Sequence, residues 1–294
     1  MKQFETIFAE IEKVNQVRNS LFDVKKIRLH TGLEGFESPE NFGIYRSTGG
    51  SALGVVGKVY EPTQPTMLFD GLIEGLSEID NIDYNTLSYS ELKGGSKIKL
   101  SVEIGKMSFV NMAGKDDELK IALNLQTGFD GTTKTSMFIS VFRMICKNGM
   151  KGWRTEMEVS VKNTLGNIGK IGALTNEVAL MYNEKENFIE FIKSMNSFKV
   201  TKKHQDAFLQ KVVGMNGKEY SELTTRKRNI FDAINQSCAI EMKRTGNTMW
   251  GLLNGITNYT NHVASKNDTE NYIYADSGLK LNNEAQKFAL ELMN

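Results

Sequence analysis

The chain has 294 residues, with 36 lysines and arginines against 35 aspartates and glutamates and a net charge of +1. That balance leaves no global field to draw in DNA or an acidic membrane, so a nucleic-acid site has to come from local clustering. Hydrophobic content of 40% and charged content of 24% fit a globular chain, and two cysteines are too few for a disulfide-scaffolded secreted domain. Three histidines with no cysteine pair nearby give no zinc signature, and the sequence calls for no cofactor and no metal. The opening MKQFETIFAEIEKV carries charge throughout and lacks an apolar signal core, and no apolar run approaches the roughly 20 residues that span a bilayer. Cys146 and Cys238 sit in apolar surroundings and read as reduced, buried thiols of a cytoplasmic protein.

Taken in chain order, residues 2–19 place Phe4, Ile7, Phe8, Ile11 and Val14 at helical spacing, a helix that docks on the body or serves as an assembly arm. Residues 24–30 alternate and predict a strand; a loop follows through Gly32, Gly35 and Pro39. Leu53 to Tyr60 reads as a buried strand broken by glycines and ended by Pro62 and Pro65, and residues 66–79 as a short helix. TLSYSEL and SKIKLSVEI flank Gly94–Gly95, and ELKIALNLQTGF and TKTSMFISVFRMICKNG flank Asp130–Gly131, which predicts two hairpins and an antiparallel sheet of at least four strands.

The second half is helical by periodicity. An apolar-periodic stretch fills 164–198, Thr201 caps KKHQDAFLQKVV with Gly214 at its end, and Ser221 or Thr224 opens a helix through Lys243 that Gly246 stops. Asn247 then caps TMWGLLNGITNYTNHVA, 271–281 is irregular, and NNEAQKFALELM closes the chain as a helix. The expected class is α+β: an antiparallel sheet in the first half packed with helices from the N-terminus and the C-terminal half. The expected organisation is a single domain over 1–294 with two lobes, about 20–165 strand-rich and 166–294 helical.

No motif announces catalysis. Gly54-Val-Val-Gly57 lacks the Gly-Lys-Ser/Thr ending of a phosphate loop and reads as a strand with close backbone approach. GNIGKIG over 166–172 precedes helical sequence, but no Ser or Thr follows Lys170, and a linker is the plainer reading. Asp116, Asp117 and Glu118 fall where an exposed hairpin tip is expected, and Asp130 serves a turn. There is no nucleophile elbow, no HExxH and no triad, so a non-enzymatic protein is expected.

Basic residues cluster three times: Arg143, Lys147, Lys151 and Arg154 with Phe142 and Trp153 interleaved; Lys199, Lys202, Lys203 and His204; and Arg226, Lys227 and Arg228. Cations beside aromatics are what a single strand needs, for phosphate neutralisation and base stacking. On the helix from Asn247, Leu252, Ile256, Tyr259 and Val263 share one face, while Trp250, Asn254, Thr257 and Asn261 share the opposite one. That second face is either another buried interface or a stacking surface in which Trp250 and Asn254 meet a ligand strand.

Several blocks in order carry a family resemblance. Gly54, Gly57 and Tyr60 stand in LGVVGKVY, Gly94 and Gly95 in a hairpin, and Asp130 and Gly131 before Arg143, Cys146 and Asn148. Trp250, Gly251, Asn254, Thr257, Tyr259 and His262 lie on one helix near the end. Over residues 45–264 this resembles the phage- and plasmid-associated family of domain of unknown function 932. The chain departs from it where Gly128-Phe129-Asp130-Gly131 replaces the Ser-His-Asp-Gly of many members. The resemblance implies a bacterial host, mobile elements, and replication or recombination gene blocks. The expected function is therefore single-stranded DNA binding or annealing by a homo-oligomer. The alternative is a structural or protein-interaction module such as a host-defence antagonist. One continuous basic surface favours the first and scattered cations the second; a metal-dependent nuclease would need three carboxylates converging within about 5 Å.

Overall fold

A computed structural model of the chain describes residues 2–30, 37–144, 148–151, 158–167, 177–264 and 277–293. They hold nine strands and seven α-helices: α1 (Lys2–Ser20), β1 (Val24–His30), β2 (Glu37–Arg46), β3 (Gly54–Gly57), α2 (Pro65–Ser77), β4 (Ser88–Leu92), β5 (Lys97–Val110), β6 (Asp116–Gly128), β7 (Thr135–Arg143), β8 (Asn148–Lys151), β9 (Glu158–Val161), α3 (Val178–Ser197), α4 (Lys202–Val213), α5 (Thr225–Thr245), α6 (Met249–Asn258) and α7 (Ser277–Met293). A π-helical turn, Tyr259–Ala264, extends α6. The fold is α+β, as expected, with antiparallel sheets ordered β1-β2-β3 and β4-β5-β6-β7-β8, β9 adding to β7. No helix among the described residues is long and apolar enough to cross a membrane.

The chain divides into two compact units, each built from three segments of sequence. Unit 1 holds Met1–Ile104, Ala122–Ile139 and Arg154–Glu184; unit 2 holds Gly105–Ile121, Ser140–Trp153 and Lys185–Asn294. Strands β5, β6 and β7 each contribute residues to both.

In unit 1 the three-stranded sheet buries Val24, Ile44 and Val56 against Phe22, Tyr60, Ile98 and Phe129. The Phe22 and Phe129 rings sit 5.8 Å apart. Helix α2 starts with Pro65 in its first turn, where a missing N–H costs nothing, and buries Leu68, Leu72 and Leu76 at i, i+4, i+8. Both expected turns form. Gly94 and Gly95 take φ of 65° and 89°, and Gly131 takes 76°, with Asp130 Oδ1 accepting from Thr132 N at 3.0 Å. Gly54 is fixed by proximity: a Cβ there would stand 2.4 Å from Asp130 Cα.

A polar knot lies beneath these strands. The carboxamide Oδ1 of Asn163 accepts from Thr135 N (3.2 Å) and Oγ1 (2.6 Å). Its Nδ2 lies 3.2 Å from both Gly128 O and Thr127 Oγ1, and the Tyr60 hydroxyl donates to Gly128 O. Burial pushes the Tyr60 hydroxyl up to about 12, against the opposing hydrogen bond from Asn163.

Four expectations change. Pro39, read as part of a loop, lies in β2 (Glu37–Arg46) instead, which pairs with β1 at Glu37 and over 42–46 and with β3 over 41–44. The strand expected over Leu53–Tyr60 shrinks to Gly54–Gly57, and Tyr60 makes only an isolated bridge to Thr164. The cap of α6 is Thr248, whose side chain accepts from Gly251 N, not Asn247. Helix α7 begins at Ser277, ahead of the expected Asn282. Residues 168–176, including Lys170, lie outside the described residues, and α3 starts only at Val178.

Candidate nucleic-acid interface

The residues singled out on α6 turn inward. From Met249 to Thr257 every residue of the helix is buried, so over that span both of its predicted faces are covered, whereas Val263, expected on the apolar face, is 42% exposed. On one side Gly255 lets α5 approach: a Cβ there would lie 2.5 Å from Cys238 Cα. Trp250, 1% exposed, meets Phe109 edge-on at 6.3 Å, and its Nε1 donates to Asp117 Oδ2 at 3.2 Å. Asn254 Nδ2 donates to Trp250 O at 2.8 Å.

Asp117 anchors a charged knot wholly within unit 2. Arg143 Nε donates to Asp117 Oδ1, and its Nη1 donates to Glu241 Oε2 at 2.8 Å. Asn111 Nδ2 adds a bond to Asp117 Oδ2 at 3.2 Å. Glu241 Oε1 accepts from Arg244 Nη1 at 2.9 Å and Asn258 Nδ2 at 3.2 Å. Asp117 and Glu241 are fully buried and Arg143 is 2% exposed, so each charge depends on the others for solvation.

This corrects three expected DNA contacts. Arg143, Trp250 and Asn254 are enclosed by the chain's own side chains and present nothing to a strand. Asp117, expected at an exposed hairpin tip, was missed as a structural residue. The turn is at 111–115, closed by Asn111 N donating to Lys115 O at 2.8 Å, and Asp117 already belongs to β6. The signal was parity: Asp117 shares its side of the strand with buried Leu119, Ile121 and Leu123, while Asp116 and Glu118 face water. Lys147, Trp153, Arg154 and Cys146 lie outside the described residues, and of Lys151 only the backbone, in β8, is described. Cys238 is buried and free, and desolvation pushes its thiol up to about 12.

The other two clusters stay at the surface, on one helical hairpin. Thr201 caps α4 in a box with His204, and Gly214 ends it in the left-handed conformation at φ 67°. Thr224 caps α5, and Lys227 Nζ donates to Gly214 O at 2.7 Å, pinning the start of one helix to the end of the other. Gln205 Nε2 donates to Asn235 Oδ1 at 3.3 Å farther along. Lys202 and Lys203 are exposed in the first turn of α4, with Lys202 2.9 Å from Asp206. Arg226 is exposed at the start of α5, and Lys227 and Arg228 are half-buried. The clusters thus mark opposite ends of α4, which at 12 residues is about 18 Å long.

An aromatic that sequence reading passed over completes the α5 end. Tyr220, 41% exposed, packs edge-on against Phe231 at 5.5 Å and donates its hydroxyl to Asp232 at 2.7 Å. That bond raises its pKa, and nearby Arg228 opposes the shift. Residues 199–228 carry eight lysines and arginines against three acids, a local excess of five on a chain of net charge +1.

The chain is thus α+β in two compact units, and unit 2 holds both a buried charged knot and a helical hairpin with exposed basic side chains. The model of the family described as Domain of unknown function (DUF932) matches residues 52–285, and the chain belongs to that family. No curated protein and no solved structure matches it.

Proposed function

We propose that this chain is a non-enzymatic nucleic-acid-binding protein of the bacterial cytoplasm that takes single-stranded DNA along the α4–α5 hairpin, and that it works as a homo-oligomer in replication or recombination of mobile elements. The observation that carries this reading is the concentration of eight cations against three acids over 199–228, with Tyr220 41% exposed where it packs on Phe231 of α5. Cations neutralise phosphates and release their counterions, and the half-exposed ring offers a face to an unpaired base. The hairpin's own bonds, from Lys227 to Gly214 and from Gln205 to Asn235, hold the two ends in fixed register.

The test is fluorescence anisotropy with labelled single- and double-stranded DNA across a salt series. Each phosphate contact on a single strand adds a slope of about −0.7 in log K against log salt. Reversing charge at Lys203 and Arg226, both exposed, is expected to flatten the slope by more than about 1.4 while the melting temperature holds. Binding that is absent at low salt, or unmoved by the double variant, removes the reading in favour of a protein-interaction module.

A further inference from the structure

The three-stranded sheet of unit 1 buries one face, through Val24, Ile44 and Val56, and leaves the other open. The strand register fixes what stands on the open face. Ile27 pairs with Gly43, and Gly43 with Val55, so the three lie in one row across the sheet. Lys25 pairs with Tyr45 in the row beside it. Gly43 sits in the middle for a steric reason: a Cβ there would stand 2.5 Å from Tyr45 Cε2 and 3.0 Å from Cζ. The Tyr45 ring therefore lies across the glycine, between Ile27 and Val55, which remain 48% and 56% exposed. Lys25 is exposed at its edge.

From this geometry we infer that the open face of β1-β2-β3 is a stacking platform for one unpaired nucleobase, with Tyr45 as the stacking ring and Lys25 meeting the adjoining phosphate. The inference rests on the proposed single-strand binding and assigns it a second contact surface, in the other unit. Size and charge choose the occupant. The platform is two strand spacings wide, roughly 10 Å, the scale of a base. A stable protein interface buries roughly 800 Å² on each partner, which a patch of Ile27, Val55, Tyr45 and Lys25 does not offer. On the open face β1 presents Lys25 and no acid, while Lys26 and Arg28 turn to the other face over the Phe42 ring, so the approach at the platform's edge favours a phosphate. A duplex keeps its bases stacked inside and cannot use such a surface. The platform thus supplies preference for single strands, whereas the α4–α5 hairpin supplies salt-dependent attraction to either form.

The experiment compares the wild-type chain with Tyr45→Ala and Tyr45→Leu, the second chosen because leucine still covers Gly43. Affinity for oligodeoxythymidine and for duplex is measured across a salt series. In parallel, a 5-iodouracil-substituted oligonucleotide is photocrosslinked to the wild-type chain and the adduct mapped by mass spectrometry. Expected are a loss of about tenfold in single-strand affinity for both variants, the size of one lost base stack, an unchanged salt slope, unchanged duplex binding and an adduct on Tyr45. Wild-type affinity in Tyr45→Leu, with adducts only elsewhere, overturns this inference and leaves the hairpin reading standing. A wild-type chain that binds no single strand removes both.

Discussion

Each unit closes its strands over a buried polar knot, and the two knots use opposite chemistry. In unit 1 Asn163, Thr127, Thr135 and Tyr60 are neutral, and one carboxamide serves several backbone and hydroxyl partners at once. In unit 2 Asp117, Arg143 and Glu241 are charged and sealed from water. A neutral knot that loses a member leaves dipoles short of a partner, at about 1–3 kcal/mol. A charged knot that loses its only fully buried cation leaves two carboxylates in a medium that solvates neither. The same task, joining distant segments of chain, is therefore fault-tolerant in one unit and brittle in the other.

The largest effect should come from Arg143→Met. Removing the guanidinium is expected to cost about 3–5 kcal/mol in urea unfolding, the range for breaking a buried ion pair. The triple change that adds Asp117→Asn and Glu241→Gln should recover part of that loss, because it removes the stranded charges together. An Arg143→Met protein as stable as the wild type, or a triple variant worse than the single one, would break the contrast between the knots. Asn163→Leu should cost less, about 1–3 kcal/mol, since Tyr60 still donates to Gly128 O and Thr127 still bonds Thr135 Oγ1 at 2.8 Å. If its midpoint falls as far as that of Arg143→Met, the neutral knot is as brittle as the charged one.

These knots also show where sequence reading reached and where it stopped. Strands β4 to β7 were legible because alternation and turn glycines are local properties of the chain. The caps at Thr201 and Gly214 were legible for the same reason, and Thr224 is the one of the two expected starts, Ser221 or Thr224, that caps α5. The apolar face of α6 is legible as far as Tyr259 and fails at Val263, and the cover on its second face comes from Asp117 and Phe109, far away in sequence. The pair Gly251 and Gly255, one helical turn apart, was the available hint that another helix comes close. Strand β2 was hidden because Glu37, Pro39, Glu40 and Asn41 look like loop, and pairing with distant residues, Glu37 with His30 of β1 and Asn41 with Gly57 of β3, is not visible locally. Of the candidate interface, the lysine and arginine clusters on α4 and α5 were visible as composition. Tyr220 was not, since nothing local says that a tyrosine before a helix will pack on Phe231 and bond Asp232 of that helix.

The smallest expected effect at neutral pH, and the one that sharpens the comparison most, is Tyr60→Phe. The hydroxyl's bond to Gly128 O contributes about 1 kcal/mol at neutral pH, so the wild type should be the more stable protein there. Its folded pKa of about 12 stands above the ordinary value of 10.0, mainly through burial, so the folded state holds the proton more tightly than the unfolded state. That stabilisation is fully present below pH 10 and is lost as pH rises through the window from 10 to 12, by roughly 2 kcal/mol at its upper end. Phenylalanine has no proton to lose. The stability difference between the two proteins should therefore shrink above pH 10 and change sign before pH 12, while Cys238 and every other alkaline titration cancel because both proteins share them. Urea midpoints of wild type and Tyr60→Phe at pH 8, 10 and 11.5 read this directly. A difference that stays constant across the three would mean that the Tyr60 hydroxyl is as well solvated folded as unfolded, and that the neutral knot of unit 1 is open to water.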